Sequence, residues 1–233
     1  MKGYFVTGTD TDVGKTWISL GLVEALKQQG QRVGVMKPVS AGCEKMAKGL
    51  RNEDARLLQQ QSNVELDYDT INPYAFEPAI APHIAAREAG IRLDIETLYE
   101  HFQHIRSQSD CIVTEGAGGW RVPLNDFQTM GDLAVRLQLP VILVVGMRLG
   151  CLSHALLSVE AIRRDKLPLA GWVANQIDPN MNRAKENLQT LVEMIDAPLL
   201  GHVPYLESRD TKAIANCLSF TVDRPAHRPA WVI

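Results

Sequence analysis

The residues with the clearest chemistry lie near the start of the chain, where Gly8 and Gly14-Lys15-Thr16 bound a hydroxyl-rich turn. In such a turn, backbone N–H groups and a helix N-terminus hold phosphate oxygens, a lysine reaches the terminal phosphates and a threonine hydroxyl binds magnesium. The glycines enclose five residues, one more than is usual in this phosphate-binding loop, or P-loop. A glycine-rich turn with a chance Gly-Lys-Thr is the alternative. An apolar run before the turn and an amphipathic stretch after it favour the P-loop, so the sequence predicts a nucleoside triphosphate site.

Four further polar residues stand at the ends of predicted strands or helices, where ligands bind in parallel α/β sheets. Lys37 follows an apolar run and can send a second ammonium toward the phosphates, although a solvated lysine is the alternative. Glu115 closes a later run and is a natural magnesium ligand beside a P-loop, or else it caps a loop. Asp54 begins a helical segment, where acidic residues are common for helix-dipole reasons alone. Asn175 can recognise an adenine edge or simply form a turn.

The remaining composition argues against several classes of protein. The six histidines are scattered, no Cys/His grouping has metal-ligand spacing, and the isolated His83 is interpreted as structural, so no zinc site is expected. The four cysteines are far apart; we expect Cys111 and Cys151 to be buried and no disulfides to form. A net charge of −3 without a basic cluster argues against nucleic acid as a partner. No apolar run could span a bilayer, and we expect a cytoplasmic protein without a signal peptide.

The elements that must position these groups are short apolar runs separated by segments with helical periodicity. Because the runs are continuous rather than alternating, helices are expected to bury the sheet on both faces. The predicted fold is α/β, a doubly wound, mostly parallel sheet with flanking helices of the P-loop NTPase type. The strands are expected at residues 4–7, 33–37, 111–115, 141–145, 169–175 and 199–203, and the helices at 17–29, 53–60, 95–107, 132–137, 154–164 and 183–195.

No linker or repeat divides the chain, so residues 1–222 are expected to form a single P-loop α/β domain. The segment 223–233, which contains two prolines, is expected to be a frayed tail. Residues 63–82 contain three prolines and few periodic apolar positions. A loop of that length inside a compact domain is usually functional or mobile.

Together these motifs resemble the dethiobiotin synthetase family over nearly the whole chain, from Tyr4 to about Leu206. The five-residue spacing inside the P-loop is itself a feature of that family. The segment after Leu206 does not align with it. The resemblance is carried by residues 6–16, 37–39, 50–55, 115–120, 140–146, 149–151 and 171–175.

The resemblance implies an ATP-dependent ring closure in biotin biosynthesis. One amine of 7,8-diaminononanoate captures CO2, supplied as bicarbonate, to form a carbamate; its oxygen accepts the γ-phosphoryl group of ATP, and the second amine closes the ureido ring. Lys15 and Lys37 would be the catalytic cations, and Thr16, Asp54 and Glu115 would bind Mg2+. The nucleotide would be bound by Asp12, Val13, Gly14, Lys15, Thr16, Trp17, Asp54, Glu115, Gly116, Ala117, Gly118, Asn175, Gln176, Pro204, Tyr205 and Leu206.

The resemblance further implies that the diamine lies near Thr11, Lys37 and Ala41. Its carboxylate would meet a helix N-terminus that a partner subunit supplies, which is a favourable site for an anion. The protein would then be an obligate homodimer with an intersubunit active site. Two of the residues, Ala41 and Ser153, depart from those common in the family. The helix N-terminus would be formed by Gly150, Cys151, Leu152 and Ser153.

Other classes of protein share a loop of this kind. Partition and division-site ATPases carry a signature lysine where this chain has Asp10, and the chain offers no basic patch or terminal amphipathic helix for a DNA or membrane partner. Amidating ligases of the cobyrinate type need a second domain, for which 233 residues leave no room. A regulatory paralogue that binds ATP without converting the diamine stays open because of the two departures.

Overall fold

A computed structural model describes residues 2–206 and 210–219 of the chain. Within these ranges, the elements follow one another in the order β1 (Lys2–Gly8), α1 (Lys15–Gln28), β2 (Val33–Met36), β3 (Val39–Ser40), β4 (Glu44–Met46), β5 (Gly49–Arg51), α2 (Glu53–Gln61), α3 (Tyr68–Ile71), β6 (Tyr74–Ala75), α4 (Pro82–Glu88), α5 (Ile95–Ser107), β7 (Cys111–Gly119), α6 (Met130–Leu137), β8 (Val141–Met147), α7 (Cys151–Arg164), β9 (Leu169–Gln176), α8 (Ala184–Met194), β10 (Leu199–Val203) and α9 (Thr211–Asn216).

Six strands form the central sheet in the order β10-β9-β8-β1-β7-β2, and each neighbouring pair is parallel. All seven residues of β8 are buried, as expected for a sheet that helices cover on both faces. The large fully buried side chains come from strands and helices alike, with Phe5 and Trp172 among them. The predicted mostly parallel, doubly wound α/β sheet is therefore confirmed.

The strand register brings the predicted functional residues to one edge of the sheet. Val6 of β1 pairs with Glu115 of β7, and Met36 of β2 pairs with Thr114 of β7. Lys37 is the residue after Met36, so it lies beside Glu115 at the carboxyl end of the sheet. The turn between β1 and α1 begins at this same edge, immediately after Gly8.

The helix predictions hold with small shifts at the ends. Helix α5 spans 95–107 as predicted, whereas α1 begins at Lys15, two residues earlier than the apolar periodicity indicated. The reason is local: Gly14 at the N-cap adopts a left-handed conformation (φ 86°), which lets the helix start directly after the turn. The N-terminal N–H groups of α1 therefore point into the loop.

The segment 63–82 is more regular than the sequence indicated. It contains the one-turn helix α3 and strand β6, which pairs in parallel with β3, and it ends where α4 begins. Its buried hydrophobic side chains are spaced irregularly, so no periodic pattern in the sequence indicated their packing. They are Val64, Leu66, Tyr68, Ile71 and Phe76.

The remaining expectations have mixed outcomes. The antiparallel hairpin of β4 and β5 was not predicted from the sequence. Cys111 and Cys151 are buried, and no disulfide joins any of the four cysteines, all of which lie in the described part of the chain. None of the described helices is long and apolar enough to cross a membrane. The expected frayed tail, 223–233, lies outside the described residues.

Candidate active site at the carboxyl edge of the sheet

The P-loop turns sharply between β1 and α1, and its shape depends on two positive φ angles. Asp12 adopts φ 57° and Gly14 adopts φ 86°. A Cβ atom at Gly14 would lie 2.2 Å from Asn175 Nδ2, whose amide donates a hydrogen bond to Val13 O at 2.9 Å. The end of β9 therefore supports the loop from outside, and only glycine fits at this position without displacing that support.

Lys15 is the first residue of α1 and is buried within the loop. Its ammonium donates to Asp10 O at 2.8 Å, so the side chain folds back over the turn. Burial lowers the pKa of Lys15 to about 8, and the nearby Lys37 ammonium contributes to that shift. A phosphate group entering the loop would relieve this unfavourable environment, because it brings negative charge to both lysines.

An ionic cluster, buried except for Asp54, lies beside the loop and consists of Thr16, Lys37, Asp54 and Glu115. Thr16 donates from Oγ1 to Glu115 Oε1 at 2.9 Å, and the Lys37 ammonium donates to the same oxygen. A second ion pair joins Lys37 Nζ to Asp54 Oδ2 at 3.2 Å. The Lys37 and Glu115 side chains are 6% and 0% exposed, whereas the Asp54 side chain is 41% exposed. The pair with Glu115 therefore dominates the electrostatics of the cluster.

The charge state of Lys37 follows from these contacts. Burial alone would lower the pKa of its ammonium, but attraction and hydrogen bonds from Glu115 and Asp54 raise that pKa above its ordinary value. Lys37 is therefore a positive charge held in place by two carboxylates. It is a suitable group to face the developing charge of a phosphoryl transfer.

The cluster also has the donors that a hard divalent cation requires. Glu115 Oε2 is buried and has no hydrogen-bond partner among the described residues, so this carboxylate oxygen is available to a cation. Thr16 adds a hydroxyl and Asp54 a half-exposed carboxylate, which matches the oxygen ligands of Mg2+. No three Asp, Glu, His or Cys residues in the described ranges group as a metal site. This donor set therefore fits a cation that takes its other ligands from water and phosphate.

These groups line a cleft of about 1090 Å³ at the carboxyl edge of the sheet. Its size suits a nucleotide together with a second small molecule. Most of the residues predicted for the site form its walls: Thr11, Asp12, Gly14, Lys15, Thr16, Trp17, Lys37, Ala41, Asp54, Glu115, Ala117, Gly118, Asn175, Gln176, Pro204, Tyr205 and Leu206.

Comparison with known proteins identifies the family to which this chain belongs. Residues 2–213 match the protein family described as AAA domain. The chain is 53% identical over 216 residues to the ATP-dependent dethiobiotin synthetase BioD of Pseudomonas aeruginosa (strain UCBPP-PA14), covering 92% of this chain and 95% of that protein. The chain belongs to the dethiobiotin synthetase family. A second member, BioD of Cellvibrio japonicus (strain Ueda107), is 50% identical over 220 residues, with 94% and 96% of the two chains covered.

Solved structures that are distant in sequence share the fold of this dethiobiotin synthetase family member. The MinC:MinD cell division complex of Aquifex aeolicus matches with a TM-score of 0.58 at 17% identity, covering 96% of this chain and 89% of that chain. A ParA family ATPase from Chlorobium tepidum TLS matches with a TM-score of 0.56 at 14% identity, covering 94% and 90%. At such identities the likeness concerns the fold alone, and it confirms the P-loop NTPase type.

Asp10 stands at the position where the sequence predicted a difference from the partition ATPases. Its carboxylate pairs with Arg148, and both side chains are partly exposed. Hydrogen bonding from the Thr11 backbone N–H, followed by the Arg148 contact, lowers the pKa of Asp10. This ion pair thus connects the P-loop to the turn that follows β8.

Two predicted nucleotide-binding residues lie behind the cleft. Val13 is buried in the core, and its carbonyl oxygen accepts the hydrogen bond from Asn175. Gly116 faces inward, where an added Cβ would lie 3.2 Å from both Phe5 and Met130. Gly150, Cys151, Leu152 and Ser153 do not line the cleft of the same chain. They form the start of α7, with Gly150 at the N-cap (φ 93°).

Several cleft residues were missed by sequence reasoning. Ser40 and Asn52 are buried polar residues that line the cleft, and although Asn52 lies in the matched segment 50–55, neither was predicted as a site residue. Residues 79–82 form another part of the wall. A signal for that part existed, since a long proline-containing loop in a compact domain often has a function.

Proposed function

We propose that this protein is an ATP-dependent dethiobiotin synthetase that converts 7,8-diaminononanoate, CO2 and ATP into dethiobiotin, ADP and phosphate. The observation that carries the proposal is the cluster of Lys37, Glu115, Asp54 and Thr16 beside the P-loop, in one cleft of a dethiobiotin synthetase family member. The names of its relatives support the same activity.

The reaction has two bond-forming steps after the diamine has captured CO2 as a carbamate. A carbamate oxygen attacks the γ-phosphorus of ATP, the bond from that phosphorus to the β,γ-bridging oxygen breaks, and ADP leaves. The second amine then attacks the carbamate carbon, the carbon–oxygen bond to the phosphoryl group breaks, and phosphate leaves as the amine loses its proton. Neither step requires a covalent enzyme nucleophile, so the protein must mainly position reactants and neutralise charge.

Lys15 and Lys37 supply the positive charge for the phosphoryl transfer. Lys15 lies within the P-loop and meets the β- and γ-phosphates, which replace its contact with Asp10 O. Lys37, which directly follows β2, lines the cleft and meets the carbamate and the transferred phosphoryl group. Thr16, Asp54 and Glu115 would bind Mg2+, which neutralises phosphate charge when bound.

The two ends of the cleft would bind adenine and the diamine. Asn175 and Gln176, with Pro204, Tyr205 and Leu206 nearby, bind the adenine ring. Asn175 donates its amide to the P-loop, so its carbonyl oxygen is the group left to accept from the adenine amine. Thr11 and Ala41 contact the diamine at the other end. The start of α7 from a second copy binds the substrate carboxylate in a homodimer, because a helix N-terminus favours an anion.

One incubation tests the proposal. Purified protein is mixed with the diamine, bicarbonate and Mg-ATP, and dethiobiotin and ADP are quantified by mass spectrometry. We expect equal amounts of the two products, and a sharp loss of both in Lys37→Gln while ATP binding is largely retained. ADP release without ring product would overturn the proposal in favour of a switch ATPase. ATP binding without turnover would overturn it in favour of a regulatory paralogue.

A further inference from the structure

Lys37 lies one residue beyond the last pair between β2 and β7, which joins Met36 to Thr114. A different segment holds its backbone. Lys37 N donates to Ile71 O at 2.9 Å, and Lys37 O accepts from Asn72 Nδ2 at 2.7 Å. The end of α3 therefore takes the place of a neighbouring strand at the point where the sheet stops.

Asn72 is 2% exposed and uses both ends of its amide. Its Oδ1 accepts from Ser40 Oγ at 2.8 Å and from the Tyr68 hydroxyl at 2.9 Å. These two hydroxyl donors fix the orientation of the amide, since only its NH2 end can donate to Lys37 O. The Tyr68 hydroxyl in turn accepts from Asn52 N at 2.7 Å.

The network continues from Asn52 to the ionic cluster. Asn52 caps α2, because its Oδ1 accepts from Ala55 N at 3.2 Å. Asp54 lies in the first turn of that helix, and its carboxylate returns to the Lys37 ammonium at 3.2 Å. These contacts therefore form a closed ring of interactions. It runs from the Lys37 backbone through Asn72, Tyr68 and Asn52 to the helix that carries Asp54, and then back to the Lys37 side chain.

We infer that Asn72 and Tyr68 are positioning residues, which hold Lys37 and Asp54 at the separation that the reaction requires. This inference rests on the proposed function for the role of Lys37. The competing explanation is that the network only satisfies buried polar groups. Two apolar side chains of the same shape would serve stability as well as a fully satisfied polar pair. The hydrogen-bonded pair of Asn72 and Tyr68 additionally fixes the positions of Lys37 and Asp54 relative to each other.

The test uses Tyr68→Phe, which removes only the hydroxyl group. The phenylalanine ring would still support the Arg51 guanidinium, whose carbon lies 4.2 Å from the ring centroid. Tyr74→Phe is the matched control, because that hydroxyl contacts only Asp94 N, at 3.4 Å, among the contacts of the described residues. Ser40→Ala is a second variant, which removes the other hydroxyl that orients Asn72.

Two measurements separate positioning from folding. The first is kcat for dethiobiotin formation, together with the dissociation constant of a non-hydrolysable ATP analogue. The second is the rate at which lysines of the nucleotide-free protein are reductively methylated, followed at Lys37 and Lys15 by peptide mass spectrometry. Both lysines are buried, at 5% and 7% exposure, so Lys15 is an internal reference for general loosening.

We expect Tyr68→Phe to lower kcat about tenfold and to change analogue affinity less than about twofold, since misplacing a catalytic group mainly affects turnover. Lys37 should be methylated several-fold faster than in the wild type, with Lys15 and the Tyr74→Phe control unchanged. Equal acceleration at both lysines would overturn the inference, because it would indicate general loosening. Unchanged Lys37 methylation in both Tyr68→Phe and Ser40→Ala would also overturn it. Neither result depends on whether wild-type protein forms dethiobiotin, so the two proposals fail separately.

Discussion

Removing either member of the buried Lys37–Glu115 pair should destabilise the nucleotide-free protein much more than removing Asp54. Lys37→Gln leaves a carboxylate that is 0% exposed without its cation. Breaking such a buried pair costs about 3–5 kcal/mol. Glu115→Gln should fall near the lower end of that range, since Asp54 still compensates Lys37. The Asp54 side chain is 41% exposed, so Asp54→Asn should cost less than about 1 kcal/mol.

The assay is urea unfolding at neutral pH without nucleotide, which gives the free energy of unfolding for each variant. Thermal melts should agree, with the melting temperature of Lys37→Gln lower by roughly 10 °C. The double variant Lys37→Gln/Glu115→Gln should lose at least about 2 kcal/mol less than the sum of the single variants, because two neutral amides replace an unpaired charge. Lys45→Gln on the exposed strand β4 is the control and should change stability by less than about 0.5 kcal/mol.

The reasoning would be refuted by additive losses in the double variant. It would equally be refuted if Asp54→Asn destabilised the protein as much as Glu115→Gln. Either result would mean that the exposed pair, rather than the buried pair, holds Lys37 in place.

Further predictions concern the P-loop and the metal site. The pKa of Lys15 is lowered to about 8, chiefly by burial, so its ammonium loses its proton near that pH. ATP affinity, measured by calorimetry, should therefore fall as the pH rises from about 7 to about 9, and the Lys15→Met variant should lose this dependence. The same lowered pKa makes the folded state more stable as the pH rises above about 8, because Lys15 then still binds its proton in the unfolded chain but not in the folded protein. Urea unfolding of the wild type and of Lys15→Met at several pH values measures the direction of this change. Gly14→Ala should weaken ATP binding at least about tenfold, since its Cβ would lie 2.2 Å from Asn175 Nδ2, whereas Gly30→Ala, with φ 80° and no atom within 4 Å, should cost only about 1 kcal/mol of stability and leave binding intact. Asp54→Asn should raise the Mg2+ concentration needed for half-maximal turnover, and EDTA should abolish turnover.

The sequence alone was enough to predict the central sheet and the charged side chains at its carboxyl edge. Continuous apolar runs identified the six strands of the central sheet, and polar residues directly after them identified Lys37 and Glu115. These signals are local in the chain, which is why they could be read without a structure. The start of α1 was misjudged by two residues because Gly14 and Lys15 break the apolar periodicity but not the helix.

The network around Asn72 could not be predicted for a physical reason. Its members are separated along the chain, and none is of a residue type that is usually fully buried. Only folding brings Ser40, Asn52, Tyr68 and Asn72 together, and it buries them in a stretch without periodicity. The proposed contribution of a second subunit likewise depends on contacts that one chain does not contain.

The central claim is that a carbamate oxygen attacks ATP and later leaves with phosphate, and an isotope experiment tests it directly. Wild-type protein is given the diamine, Mg-ATP and freshly dissolved bicarbonate labelled with 18O, and the reaction is stopped before the label exchanges with water. The account predicts that one labelled oxygen from bicarbonate appears in the released phosphate and another in the ureido carbonyl of dethiobiotin. Phosphate that carries no label would mean that water attacked ATP instead, and would contradict the account.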